Sequence, residues 1–228
     1  MPKAASRDAV HDTFLGRNGL TLAFLVLMAL SVVGHVFSGW HVNNEERQEH
    51  GQPPESLTEY VGDGHFLGTL FENWESEFLQ MGLFVLLTAF LRQKGASESR
   101  PLDPAEEPDP QPVPYAQRPW PVRKGGALRR VYEHSLSSAL LLMFVASFFA
   151  HLHYSWKHHV EEELQHGRQA ATSMWEHLAS SQFWFESFQN WQSEFLAVVA
   201  LVVLSIFLRE KDSTESKDVE DPHSKTGA

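Results

Sequence analysis

The sequence predicts an all-α fold, an integral membrane four-helix bundle made of two tandem, parallel helical-hairpin repeats. Three observations predict it. Apolar residues are gathered into blocks rather than spread along the 228-residue chain. The two halves align with each other. Lys and Arg fall almost entirely to one side of the apolar blocks. The formal charge of -11 and the mean hydropathy of -0.28 belong to the polar stretches between the blocks.

Taken in order, residues 1–18 form a cytoplasmic N-terminal segment, and the first repeat fills 19–94 with spans over about 20–40 and 66–91. A Pro-rich cytoplasmic linker covers 95–130, where prolines with scattered charge favour an extended spacer. The second repeat fills 131–211 with spans over about 135–156 and 183–208, and a charged tail, 212–228, is expected to be disordered. The runs Leu20–Phe37 and Leu136–Phe149, the latter continuing to Trp156, are apolar enough to cross a bilayer. Phe78–Leu91 and Phe195–Leu208 are shorter, ~21 Å at the helical rise against a hydrocarbon core of ~30 Å. These helices therefore start upstream, through FENWESE and FQNWQSE, which draws acidic residues into the outer part of the membrane.

At a shift of 117 residues, Phe71–Ser99 aligns with Phe188–Ser216 without a gap, and fifteen of twenty-nine positions are identical. At a shift of 116, Ser31, His35, Trp40, Glu45, Glu46, His50 and Gly51 fall on Ser147, His151, Trp156, Glu161, Glu162, His166 and Gly167. A repeat of two spans returns the chain to its starting side, so the copies are parallel about an axis near the membrane normal. The third helix lies mid-chain, where no signal peptide is cleaved, so its equivalent, the first, is expected to remain in the mature protein.

Fifteen of the eighteen Lys and Arg lie before Leu20, between Arg92 and Arg130, or after Leu208; Arg47, Lys157 and Arg168 do not. Basic segments are retained inside, so both termini and the linker are expected in the cytoplasm, with the protein multi-pass in the cytoplasmic (inner) membrane. Trp40, Trp74, Trp156, Trp175, Trp184 and Trp191 then cluster near the outer interface.

Counting inward from the cytoplasmic ends places His35 ~22 Å and Glu77 ~21 Å deep, and His151 and Glu194 repeat this. Asn73 and Asn190 share the helix face of each Glu, and Ser31 and Ser147 that of each His. An ionisable group inside a span costs roughly 2.5–3.5 kcal/mol and normally turns inward to a partner. His35, Asn73, Glu77, His151, Asn190 and Glu194 therefore form the candidate polar intramembrane site. It suits proton relay or handling of a small ion or solute in proton-coupled transport or sensing. Metal binding by two His and two carboxylates, or haem ligation by His35 and His151 in a redox protein, are open alternatives, as is a purely structural lock in a membrane scaffold. No cofactor is identified by the sequence. Ten of the thirteen histidines lie between His35 and His65 or between His151 and His177, on or near the outer side, where they suit a divalent cation or acid sensing as well as a plain solvated loop.

With no cysteine, disulfides, thiolate metal sites and cysteine nucleophiles are excluded. The acidic balance gives no concentrated positive face, hence no nucleic-acid partner. No phosphate-binding glycine loop or G-x-S-x-G elbow occurs, so conventional enzyme chemistry is disfavoured. The expected partners are the lipid bilayer, a small ion or solute, and a second copy of the chain in a homo-oligomer.

F-x-N-W-x-S-E-F-L at Phe71 and Phe188, F-L-R-x-K at Phe90 and Phe207, and the N-N-E-E and H-G elements of the first outer loop give a doubled signature. On these residues the chain resembles the domain of unknown function 6766 family of bacterial membrane proteins. The resemblance implies a bacterial membrane location and supplies no activity, ligand set or catalytic residue.

Overall fold

A computed structural model describes residues 13–103, 105, 111–167 and 173–227. Most of the expected N-terminal segment, part of the linker, and Arg168 lie outside the described residues. Among the described residues every regular element is helical. Two compact units result, Met1–Phe66 and Leu67–Ala228.

The first unit is built on α1, Phe14–Glu49, which Thr13 starts by accepting a hydrogen bond from the Gly16 amide at 3.0 Å. At the far end Gly51 takes φ 70°, the left-handed turn that ends helices at low steric cost. The chain then folds back on α1. Asn44 clamps Glu55 through both backbone groups, accepting from its amide at 2.6 Å and donating to its carbonyl at 3.1 Å. Trp40 Nε1 donates to the same carbonyl at 2.7 Å, and Asn43 Nδ2 to the Glu55 carboxylate at 2.9 Å. This explains two adjacent buried asparagines in N-N-E-E: each satisfies loop groups that would otherwise lack partners. A capping box of Ser56 and Glu59 then opens the short α2, Leu57–Tyr60.

Helix α3, Gly64–Phe90, leads into the second unit. After it come α4 (Trp120–Lys124), α5 (Gly126–Glu133), α6 (Ser135–Gln165), α7 (Met174–Leu178) and α8 (Ser181–Phe207). Ser173 and Ser180 cap α7 and α8 by accepting from the amides of Glu176 and Phe183.

Three helices, α1, α6 and α8, are long and apolar enough to cross a membrane. With 27 residues, α3 is ~40 Å long, so length is not what separates it from them. Glu72, Glu75 and Glu77 on its N-terminal half lower its apolarity. The long helices present many exposed Leu, Val and Phe side chains, as lipid-facing helices do.

Within the second unit α3 and α6 run antiparallel. The Gly68 backbone lies against Ser155 near one end, and Gly82 against Leu140 and Leu141 near the other. These glycines allow close approach because a larger side chain would meet the facing helix. An aromatic ladder joins α6 to α8, Phe148 packing on Phe183 at 5.5 Å and Phe144 on Trp191 at 6.4 Å.

The tail departs from the expected disorder. Ser97 Oγ donates to the Glu215 carbonyl at 2.7 Å, the Gly95 amide to Thr226 Oγ1 at 2.9 Å and the Gly227 amide to the Ala96 carbonyl at 3.0 Å. Lys217 is buried and donates to the carbonyls of His223 at 3.2 Å and Lys225 at 3.0 Å. Charged composition favours a solvated tail; here the lysine ammonium organises the backbone around itself. Both FLR stretches end alike, Ser99 Oγ accepting from the Gln93 amide and Ser216 Oγ from the Glu210 amide, each at 2.9 Å. Gly95 (φ 84°) and Asp212 (φ 66°) supply the left-handed turns between.

Candidate functional site

The polar cluster of the second unit is centred on His151, a fully buried residue of α6. Its Nδ1 stands 2.7 Å from Glu75 Oε2, and its Nε2 stands 3.6 Å from Glu186 Oε2, beyond hydrogen-bond length but within ion-pair reach. Glu75 is also fully buried, and its second oxygen accepts from Trp191 Nε1 at 3.0 Å. Glu186 Oε1 accepts from Gln182 Nε2 at 2.7 Å and Oε2 from Ser155 Oγ at 3.0 Å. Asn190 Nδ2 donates to Glu72, a third carboxylate in electrostatic reach of His151, Glu75 and Glu186.

Helix geometry places these groups. Glu72 and Glu75 are three residues apart on α3 and share a face. Glu186 and Asn190 are four apart on α8 and do the same. Ser155, four residues after His151, continues the α6 face toward α7.

There it meets His177, a buried residue of α7, whose Nε2 is 3.0 Å from Ser155 Oγ. The Ser155 proton goes to the Glu186 carboxylate, so His177 Nε2 carries the hydrogen in the neutral tautomer and its Nδ1 is bare. That buried Nδ1 makes no hydrogen bond. Burial pushes the His177 imidazole down to about 4; nearby His159 and His151 act in the same sense and Glu186 opposes them. The His159 ring lies 5.2 Å from it. Phe183 stacks on His151 at 4.9 Å and meets His177 edge-on at 5.8 Å, standing between the two imidazoles.

Of the six sequence-predicted residues, His151 and Asn190 are in this cluster. Glu77 and Asn73 are exposed on α3, with Asn73 Nδ2 donating to the Thr69 carbonyl at 2.8 Å. Glu194 is half-buried, and its electrostatic neighbour is Glu77. Equal depth suggested that His151 pairs with Glu194; the carboxylates that meet His151 are Glu75 and Glu186. Depth fixes a level but not a face, and two residues along a helix turn the side chain ~200°. The missed residues Glu72, Glu75, Glu186, Ser155 and His177 had one sequence signal, the i, i+3 spacing within FENWESE.

His35 lies in the first unit, half-buried, with its ring 5.2 Å from Phe66. Phe66 packs on Tyr60 at 5.7 Å, and Tyr60 Oη is 2.9 Å from His65 Nδ1. Burial, with help from Asp63 and Glu55, raises the Tyr60 hydroxyl to about 12. Among the described residues no group of three His, Asp or Glu side chains is arranged to hold a metal ion.

Residues 11–228 match the family model described as Domain of unknown function (DUF6766). No curated protein matches the chain, and no solved structure does.

Proposed function

The chain belongs to the DUF6766 family, and from that premise we propose that it is a non-enzymatic membrane module that binds and releases protons at the Glu75–His151–Glu186 cluster, in proton-coupled transport or sensing. The observation that carries the reading is the buried imidazole with a carboxylate facing each ring nitrogen, at 2.7 and 3.6 Å. Full ionisation would leave three carboxylates against one imidazolium in a low-dielectric interior, so each bound proton reduces uncompensated charge. Carboxylate and imidazole groups joined by hydrogen bonds are the chemistry of intramembrane proton relays.

In this reading the protein has four spans, α1, α3, α6 and α8, in a bacterial inner membrane with both termini in the cytoplasm. The least apolar span, α3, gains from having Glu72 and Glu75 paired with polar groups of α6 and α8. Two tandem hairpins are supported by matching local geometry. His35–Phe66–Tyr60 and His151–Phe183–His177 make like ring contacts within their own units, and Ser56/Glu59 and Ser173/Glu176 open α2 and α7 alike.

The test is proton uptake by purified protein in phosphatidylcholine–phosphatidylglycerol vesicles. Wild type is expected to take up protons through the cluster, and Glu75→Gln with Glu186→Gln to remove that uptake. An unaltered titration in the double variant, in protein that still inserts, overturns the reading.

A further inference from the structure

Resting on the proton-binding reading above, we propose that His177 and Ser155 are the conduit by which protons reach the His151 cluster from the side of the membrane where α7 lies. No step of this path is longer than a hydrogen bond until the last. His177 Nε2 is 3.0 Å from Ser155 Oγ, Ser155 Oγ is 3.0 Å from Glu186 Oε2, and that oxygen is 3.6 Å from His151 Nε2. Glu75 closes the chain at 2.7 Å from His151 Nδ1.

The direct route between the imidazoles is shut, because the Phe183 ring contacts both. The serine hydroxyl and Glu186 go around it. Phe183 therefore insulates the cluster from the loop while Ser155 connects it.

A packing role alone does not account for His177 Nδ1. Leaving a buried polar atom without a partner costs stability, which core positions normally avoid. In the relay that atom is where the incoming proton lands, delivered from the side of His159. The groups facing His177 are His159, Ser155 and His151 from α6, and Glu186 and Phe183 from α8.

A proton from water binds Nδ1; the Nε2 proton moves to Ser155 Oγ as the serine proton moves to Glu186 Oε2; Glu186 passes it to His151 Nε2. His177 is left as the Nδ1–H tautomer, and water-assisted exchange of the imidazole proton from Nδ1 back to Nε2, with rotation of the serine hydroxyl, restores the starting state. No oxidant or co-reactant is needed.

The first repeat lacks these parts. Gly39 and Tyr60 stand where the second has Ser155 and His177, and Thr69 stands at the position of Glu186. A Cβ on Gly39 would collide with the Tyr60 hydroxyl, which is engaged with His65 instead.

The experiment is a pH jump on reconstituted full-length protein, following proton uptake with a pH-sensitive dye and the cluster through its carboxyl infrared band. Ser155→Ala and His177→Phe are expected to slow uptake at least ~10-fold without changing the number of protons bound at the end, and Ser155→Thr to restore the rate. A structural role would move the end point rather than the rate alone. Ser155→Cys, which keeps the side-chain volume with a poorer donor, carries the test if the alanine variant fails to insert. If Glu75→Gln leaves uptake unchanged, the cluster reading fails and the conduit with it. If Glu75→Gln removes uptake while Ser155→Ala leaves the rate unchanged, the conduit alone is overturned.

Discussion

Glu75 and His151, 76 residues apart in the chain, meet at 2.7 Å with both side chains about 1% exposed. The contact ties α3 to α6, and Trp191 on the other Glu75 oxygen extends it to α8. One carboxylate thus holds three helices.

Replacing it should show first in stability. Glu75→Gln keeps the shape but takes away the carboxylate that His151 meets at hydrogen-bond distance, leaving Glu186 at 3.6 Å, and breaking a buried pair costs roughly 3–5 kcal/mol. Glu77→Gln, on the exposed face, should stay within about 0.5 kcal/mol of wild type. Denaturant unfolding in detergent micelles reads both. Equal effects would mean that the buried contact is not what holds the helices.

Acid should loosen the second unit through His177. Its folded value of about 4 lies below the ordinary 6.5, so between these values the unfolded chain binds a proton that the folded chain does not. Stability therefore rises with pH across that window, by up to about 3 kcal/mol, and falls as pH drops from 6.5 toward 4. Unfolding curves of His177→Phe should lose this slope. A variant with the same slope as wild type would place the acid sensitivity elsewhere.

Asn44→Ala should free the first loop. It strips the partner from the Glu55 amide at a cost of roughly 1–3 kcal/mol. Amide exchange across 50–56 should speed up while that of α1 below Gly34 stays unchanged; uniform exchange across the unit would refute a local clamp.

Lys217→Ala should release the tail. The buried ammonium, whose affinity for its proton is lowered by burial, organises the carbonyls of His223 and Lys225. Limited proteolysis after Lys225 is expected to accelerate at least ~10-fold. Unchanged cleavage would show that the other tail contacts suffice.

Reporters at Glu45 and Pro110 should fall on opposite sides of the membrane. Both on one side would end the four-span reading.

The helical character of the chain was legible because apolar blocks announce helices at this length, and the family resemblance read from the sequence agrees with the match over residues 11–228. The site was legible only by half. His151 and Asn190 are ionisable or polar residues inside a span, and both lie in the cluster. Glu77 and Glu194 occupy like positions in the two FxNWxSEFL segments, a pattern that Glu75 does not share. Gln189 and Gln192 stand 117 residues on from Glu72 and Glu75, so the two FxNWxSEFL segments do not carry equal chemistry. Side-chain direction was the missing quantity, since Glu75 and Glu77 are neighbours in depth but nearly opposite around α3. The tail's order was illegible because Lys217 binds backbone carbonyls, which any sequence supplies.

The tail contacts also bear on assembly. With 95–99 held against 215–227 by backbone and hydroxyl bonds, the two halves are fastened at a point that bypasses the proline-rich connection. Severing the chain between 104 and 110 would then leave the pieces joined at two places, the tail contacts and the Glu75–His151 cluster, and the two pieces made as separate polypeptides should copurify.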